Sequence, residues 1–319
     1  MIPLSIELNG TFPRSEALVS ATRDFDRKRI GEDELRRILL KQQDSLVQFQ
    51  EKLGVINFSD GLLNWQDLFR PFSVFCQGIK PVTLTRFADT NTFFRQPSVS
   101  AKLQYTGQGI SDFFRSSADK KWKATLPAPF YFARVAEDKH YGSIKKLALA
   151  FTDVLADLII DLTKKSYKSF QLIDPYLGYW GANRSEILLV KETIGRLIEK
   201  TKASIIYQTS FNCSVDALKM LAETDLDGIG IDFFNTDINA VPSLGGRKAL
   251  SAGCLDSRTS LVEDPKTLAQ FIEQAIKKIK PRELKATANL DLQYVPVPIA
   301  QSKLLKLQAA IKLVNNKQK

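Results

Sequence analysis

The chain is poor in the side chains that usually bind transition metals. Among its 319 residues it has one histidine, His140, and three cysteines, Cys76, Cys213 and Cys254. The cysteines are odd in number, lie far apart and form no Cys-x-x-Cys pair. The sequence therefore predicts neither a disulfide framework nor a thiolate-rich metal centre. We expect a reduced, cytoplasmic protein.

Long apolar runs are also missing. The most apolar segment, residues 144–162, contains Asp153, Asp157 and Asp161, whose four-residue spacing places the carboxylates on one face of a helix. A membrane span needs about 20 predominantly apolar residues, so this segment predicts an amphipathic helix instead. The amino terminus has no basic region followed by an apolar stretch, and we expect no secretory signal.

A nucleic-acid-binding signature is absent as well. The formal net charge is +10, but the Lys and Arg residues are scattered along predicted helices and no known binding motif accompanies them. The composition favours a basic surface that attracts an anionic ligand or an acidic partner protein.

Short β-prone runs alternate with helical patterns along the chain. These runs are Ser5–Leu8, Val55–Phe58, Ala124–Leu126, Ser169–Leu172, Ala203–Gln208, Gly228–Asp232, Ala249–Ala252 and Leu284–Ala288. Their alternation with helices predicts an α/β fold, a closed (β/α)₈ barrel, in one domain that spans residues 1–319.

The intervening helices carry recognisable start and stop signals. Ser15, Ser214 and Asp264 are predicted N-caps, Pro265 fits a first helical turn, and Gly54 follows the end of a long helix.

One segment does not fit the repeat. Residues 79–106 contain β-prone alternation around Thr83–Phe87 and Phe93–Ser100, which predicts an inserted hairpin. The loops that follow the strands of such a barrel build its active face. An insertion after the second βα unit should therefore overhang the barrel mouth.

Several stretches resemble the cobalamin-independent methionine synthase family. Residues 9–14 read Asn-Gly-Thr-Phe-Pro-Arg, which is similar to a signature after the family's first strand, and residues 59–67 are similar to a second family motif. Residues 84–94 resemble a stretch peculiar to the family's amino-terminal, zinc-free barrel. Residues 170–175 and 250–258 continue the match in the same order. The resemblance implies a barrel of the methionine synthase and uroporphyrinogen decarboxylase type.

The resemblance does not extend to the residues of the family's metal site. Family enzymes bind zinc through a His-x-Cys pair, a Glu and a Cys, and the zinc holds the homocysteine sulfur as a thiolate. The corresponding positions here are Ser210, Asn212, Asp232 and Leu290. Ile173 stands where the family has an acid that anchors the homocysteine amino group. The resemblance thus implies a degenerate site, with no metal or cofactor bound by this chain and no catalytic residue of its own.

A rearranged metal site is the alternative. Cys213, Asp232 and Asp291 could supply one thiolate and two carboxylates, but their spacing matches no familiar pattern and His140 lies in another segment. Cys213 can equally be a small buried hydrophobe at the end of a strand.

The resemblance also implies a site for a methyl donor. Arg14, Arg86, Asp89 and Asn91 lie on the first-strand loop and the hairpin, which the family uses for folate, and a guanidinium suits carboxylates or phosphates. The alternative is that these residues brace the hairpin against the barrel rim.

Other residues are expected at the barrel mouth, namely Asp60, Trp65, Asp174, Asp256 and Arg258. Asp174 is either an active-face carboxylate or the cap of the turn after its strand. Asp256 and Arg258 are expected to form an ion pair.

Two functions fit these observations. The first is an accessory, zinc-free barrel that pairs with a separately encoded, zinc-bearing catalytic barrel, which transfers a methyl group from a folate or folate-like pterin to homocysteine. Aromatic residues on the mouth loops, such as Phe93, Trp180 and Phe234, could then form a partner surface. The alternative is a self-sufficient methyltransferase with a rearranged site, or a decarboxylase-like enzyme that acts on an anionic substrate. Neither interpretation requires nucleic acid or a membrane.

Overall fold

The computed structural model describes residues 2–317, so residues 1, 318 and 319 of the predicted domain lie outside it. The strands are β1 (Leu4–Ile6), β2 (Asn57–Phe58), β3 (Cys76–Arg86), β4 (Phe93–Tyr105), β5 (Lys121–Pro127), β6 (Glu137–Asp138), β7 (Tyr167–Asp174), β8 (Ile205–Thr209), β9 (Gly228–Asp232), β10 (Ala249–Leu255) and β11 (Glu283–Ala288). The α-helices are α1 (Glu16–Asp26), α2 (Glu32–Leu53), α3 (Phe72–Phe75), α4 (Ile110–Phe113), α5 (Pro129–Val135), α6 (Ile144–Thr163), α7 (Tyr176–Tyr179), α8 (Arg184–Thr201), α9 (Val215–Glu223), α10 (Pro265–Ile279) and α11 (Val297–Lys317).

Eight strands form one curled sheet in the order β1-β11-β10-β9-β8-β7-β5-β2, and its paired neighbours are parallel. The two ends of this order approach each other, because Asn57 Nδ2 in β2 donates to Glu7 Oε1, just after β1, over 3.3 Å. The predicted (β/α)₈ barrel is confirmed, with all eight predicted strands in place.

The observed strand bounds differ from the predicted ones by a few residues. The sequence pattern ends the seventh barrel strand at Ala252, whereas β10 continues to Leu255. Gly253 permits the extension, since a Cβ at this position would lie 2.7 Å from both Ile231 O and Asn289 Cα. A glycine that the sequence suggests as a strand end is here a point of close backbone approach.

The predicted helix caps are confirmed. The side chains of Ser15, Ser214 and Asp264 each accept a hydrogen bond from the amide three residues further on. Gly54 ends α2 with φ of +73°, a left-handed conformation that glycine adopts without steric cost.

The inserted hairpin is also confirmed and consists of the antiparallel strands β3 and β4, with β6 alongside β4. The sequence predicts that the hairpin follows a complete second βα unit, but within residues 2–317 the structure has no long helix in that unit. Between β2 and β5 the helices are the four-residue α3 and α4. The hairpin therefore takes the place of the second crossover helix.

Helix α6 is amphipathic, as its aspartate spacing predicts. Asp153 accepts hydrogen bonds from Arg196 and Lys200 of α8 at 2.6–2.7 Å, while Phe151 stacks at 3.7 Å on Phe132 in the core. Within residues 2–317, no helix is both long and apolar enough to cross a membrane.

The interior of the barrel contains a buried charge cluster that no local sequence pattern predicts. Lys285 Nζ lies 2.7 Å from Glu7 Oε1, and Lys123 Nζ lies 3.5 Å from Glu7 Oε2. Lys123 also donates to Leu8 O and to Gln171 Oε1. These side chains are almost fully excluded from solvent, so the barrel is filled by paired charges as well as by apolar layers.

Candidate functional site

The mouth of the barrel contains a small cavity of about 70 Å³. Its wall is built by the loops after β1, β2, β7, β8 and β11, by helix α5 and by the hairpin. Polar lining residues include Asn9, Thr11, Asp67, Tyr131 and Asp291. The predicted overhang of the hairpin is confirmed, since residues 92–94 contribute to this wall.

The four positions that correspond to the family's zinc ligands do not form a common ligand set. Ser210 and Leu290 line the cavity together with Ile173. Asn212 points to solvent, and Asp232 lies at the end of β9 outside the cavity lining. A hydroxyl and a leucine side chain on the cavity wall offer zinc no strong ligand.

Asp232 is already used by the protein itself. Its carboxylate accepts hydrogen bonds from Phe211 N and Phe234 N at 3.0 Å and from Asn235 Nδ2 at 2.7 Å. Burial raises the pKa of Asp232 even though these donors oppose the shift. A carboxylate with this donor set ties the loop after β9 to the loop after β8.

The segment after β8 is held in a fixed conformation. Phe211 has φ of +62°, which is unusual for a bulky residue. Gly178 packs against it so closely that a Cβ at this position would lie 1.8 Å from Ser210 O. The contact with Gly178 and the hydrogen bond from Phe211 N to Asp232 therefore fix the backbone of this segment. It is the segment on which family enzymes carry the His-x-Cys pair.

The residues present do not fit zinc. Within residues 2–317, no three His, Cys, Asp or Glu side chains come together as a metal-binding group, and this includes the rearranged set of Cys213, Asp232 and Asp291. Burial raises the pKa of the Cys213 thiol to about 12, so this side chain is a poor source of thiolate. His140 is exposed next to β6 and packs edge-on against Tyr141.

The four residues predicted to bind the methyl donor do not form one site. Arg86 Nε donates to Thr90 O at 2.6 Å and its Nη2 to Asp89 O at 3.3 Å, so this guanidinium braces the hairpin turn. Asp89 and Asn91 line an open depression at the rim. Arg14 lies in a neighbouring depression on the first-strand loop, where burial and the nearby Arg70 lower its pKa.

The depression beside the hairpin tip brings two sets of predicted residues together. Asp89 and Asn91 share it with Asp256 and Arg258, which follow β10. The expected ion pair is long, with Arg258 Nε 4.0 Å from Asp256 Oδ1. The Arg258 guanidinium also lies 5.9 Å from the Phe211 ring centre, which connects the rim to the segment after β8.

Three other predicted mouth residues have structural contacts. Asp60 accepts from Leu62 N at 3.0 Å, and Asp174 accepts from Tyr176 N at 2.9 Å and from the Tyr207 hydroxyl. Burial raises the pKa of each of these carboxyls to about 6. Trp65 is packed in the aromatic core and donates to a backbone carbonyl.

Sequence reasoning did not identify the polar residues that face the cavity. Asp67 is the last residue of the family-like segment 59–67, and the sequence points to Asp291 only as a candidate metal ligand. Burial raises the pKa of Asp291 to about 6, against hydrogen bonds from Thr11 and Gln293. Tyr131 gave no sequence signal, because it lies in a short helix whose apolar pattern predicts only core.

A (β/α)₈ barrel with a β-hairpin that overhangs its mouth defines the class as a barrel of the methionine synthase type. Residues 72–280 match the family described as cobalamin-independent synthase, N-terminal domain, and the chain belongs to this family.

Known relatives agree with this assignment. The chain is 21% identical over 315 residues to a methionine synthase of Sulfurisphaera tokodaii, covering 97% of this chain and 92% of the relative. It is 22% identical over 235 residues to the 5-methyltetrahydropteroyltriglutamate–homocysteine methyltransferase of Bacillus subtilis, covering 69% of this chain but 30% of the relative.

Solved structures show the same fold. A B12-independent methionine synthase from Shewanella sp. W3-18-1 superposes with a TM-score of 0.77 at 18% identity and covers 100% of this chain and 99% of that one. A putative vitamin-B12-independent methionine synthase from Listeria monocytogenes gives the same TM-score at 15% identity, covering 99% and 98% of the two chains.

Proposed function

We propose that this chain is an accessory, zinc-free barrel of a cytoplasmic methionine synthase system. It pairs with a separately encoded, zinc-bearing barrel that transfers a methyl group from a folate or folate-like pterin to homocysteine. This chain holds the partner and closes one side of the methyl-donor site, so that the donor is positioned for the partner's chemistry.

The arrangement around Asp232 is the observation that carries this proposal. Asp232, at one of the zinc-ligand positions, accepts three hydrogen bonds from within the protein. Two of the other positions, Ser210 and Leu290, line the cavity and offer no strong zinc ligand. A site with this donor set has no means of making a thiolate from homocysteine near neutral pH, because a free thiol has a pKa near 8.5. The activation step therefore falls to another chain.

Exposed aromatic side chains on the mouth loops support a partner on this face. Phe93 lies on the hairpin, Trp180 follows α7 and Phe234 follows β9, and each is about half exposed. Aromatic residues are enriched at the cores of protein interfaces, where a partner removes them from water. Together with the positive net charge, they favour an acidic partner barrel.

The test combines metal analysis with complex formation. We expect the purified chain to contain no stoichiometric zinc and to form a stable complex with the zinc-bearing barrel of the same cell in size-exclusion chromatography with light scattering. Replacing both Trp180 and Phe234 by alanine should weaken the complex at least tenfold. The matched control is Leu305→Ala, which removes an exposed apolar side chain from the outer helix α11 and should leave binding unchanged.

The alternative functions give different results in the same experiment. One tightly bound zinc per chain would show that the alignment of the ligand positions is wrong, and methyl transfer by the isolated chain would then establish a self-sufficient methyltransferase. Turnover of an anionic carboxylate substrate without a methyl donor would establish a decarboxylase-like enzyme.

A further inference from the structure

The cavity at the barrel mouth is anionic and has no cation in its wall. Of the described residues that line it, two are Asp and none is Lys or Arg. Asp67 is engaged by three backbone amides, those of Phe69, Arg70 and Arg95, at 2.8–3.1 Å. Asp291 accepts from Gln293 Nε2 at 2.9 Å and from Thr11, but within residues 2–317 it forms no ion pair. The negative charge of Asp291 therefore faces the cavity without a counter-ion.

A second polar group in the wall lacks a partner. Tyr131 is 3% exposed, and its hydroxyl makes no hydrogen bond within the described part of the chain. Burial raises the pKa of Tyr131, and the nearby Tyr294 and aspartates add to the shift. The ring is buried, but the hydroxyl oxygen is accessible from the cavity, so it is free to hydrogen-bond a ligand or a water molecule there.

The rest of the wall is aromatic. Phe69, Phe87 and Phe94 line the same cavity as Asp291 and Tyr131, and Phe69 packs edge-on against Phe94 at 5.3 Å. Aromatic faces attract organic cations and also accept an aliphatic chain. They do not favour an anion.

The size of the cavity limits the ligand. An apolar cavity of roughly 150 Å³ holds benzene, with its six heavy atoms. By the same proportion, about 70 Å³ corresponds to about three heavy atoms, and the partly open mouth leaves room for the end of a slightly longer chain. A carboxylate on the ligand would meet no Lys or Arg in this wall, which favours a simple amine over an amino acid.

We propose that the cavity binds a small organic cation, a primary ammonium on a short aliphatic chain, with the ammonium between Asp291 and the Tyr131 hydroxyl and the chain against the phenyl rings. This binding belongs to the isolated chain and does not depend on a partner barrel.

Three probes with a three-carbon chain test the proposal on the full-length chain: n-propylammonium, 1-propanol and propionate. Binding is measured by saturation-transfer NMR and by the ligand-dependent shift in melting temperature. We expect n-propylammonium to bind at least tenfold more tightly than 1-propanol, and propionate to show no binding. Equal binding of the amine and the alcohol, or no binding of the amine, would overturn the proposal and leave the cavity to water.

Two variants locate the binding. Asp291→Asn should bring the affinities for the amine and the alcohol to within about twofold of each other, and Tyr131→Phe should weaken amine binding. The matched control Asp33→Asn removes an exposed carboxylate from the first turn of α2 and should preserve the tenfold preference. Retention of that preference in a folded Asp291→Asn protein would show that the cation binds elsewhere. If this variant does not fold, the probe comparison on the wild-type chain decides.

Discussion

The buried charge cluster inside the barrel gives a sharp test of the energetics. In the native protein Glu7 is the shared counter-ion of Lys123 and Lys285. Glu7→Gln keeps the shape and the hydrogen-bonding capacity of the side chain but removes its charge. Two ammonium groups then remain in the barrel interior without a carboxylate, and one of them must lose its proton or the barrel must admit water.

The magnitude of the loss follows from these distances. At an effective dielectric constant of about 20, the pairs at 2.7 and 3.5 Å correspond to gross attractions of about 6 and 5 kcal/mol. Deprotonating one lysine at pH 7 limits the penalty to about 5 kcal/mol, since a lysine pKa of about 10.4 lies between three and four units above that pH. Burial already lowers the pKa of Lys123. We therefore expect Glu7→Gln to reduce the free energy of unfolding by about 3–5 kcal/mol.

Urea unfolding at pH 7, monitored by circular dichroism, measures this change. Urea is uncharged, so it does not screen the ion pairs as guanidinium chloride would. The matched control is Glu51→Gln, which breaks an ion pair to Lys120 at 2.7 Å on the surface and should cost less than about 1 kcal/mol. Adding Lys285→Met to Glu7→Gln removes one of the two uncompensated charges and should recover part of the lost stability. Equal effects of Glu7→Gln and Glu51→Gln would refute the reasoning.

Three further changes have defined outcomes. Gly10→Ala should destabilise the protein by at least about 2 kcal/mol in urea unfolding, because φ is +58° and the new Cβ would lie 1.5 Å from Asp291 Oδ1; Gly142→Ala, with φ of +63° and open space around it, should cost about 1 kcal/mol. Burial raises the pKa of Asp174 from 3.8 to about 6, so its contribution to stability is present below pH 4 and is lost as the pH rises through 6. Asp174→Asn should remove up to about 3 kcal/mol of that pH dependence from unfolding curves measured between pH 4 and 7, and an unchanged slope would contradict it. Phe132→Ala should cost about 3–5 kcal/mol through the cavity it leaves in the core, and a melting temperature within a degree of the wild type would rule this out.

The fold could be predicted from the sequence because each strand and helix carries its own local signal. A buried parallel strand appears as a short apolar run, as in Gly228–Asp232, whose predicted bounds are the observed ones. Helix ends are marked by capping residues such as Ser15 and Gly54. Such signals depend on neighbours within a few positions, so they survive in a single sequence.

The interior charges could not be predicted in the same way. Lys123 and Lys285 interrupt apolar runs, and a charged residue in a strand normally predicts an exposed face. Whether the side chain points inward depends on the pleat, and whether a buried lysine is tolerated depends on a partner far away in sequence. Glu7, at the other end of the chain from Lys285, supplies that partner.

The strand-end aspartates show where sequence reasoning about a site reaches its limit. Four of them accept a hydrogen bond from the amide two residues further on, which is the Asx turn expected after a strand: Asp60, Asp174, Asp232 and Asp256. Asp67, in the loop well beyond β2, makes the same turn. Asp291 also follows a strand, but its two-residue contact is with the Gln293 side chain. The sequence places Asp60, Asp174 and Asp256 at the barrel mouth and points to Asp232 and Asp291 only as candidate metal ligands. Asp291 differs because its donors are Thr11 and Gln293 and, within residues 2–317, it lines the cavity without an ion pair, which is why the ligand site is proposed there.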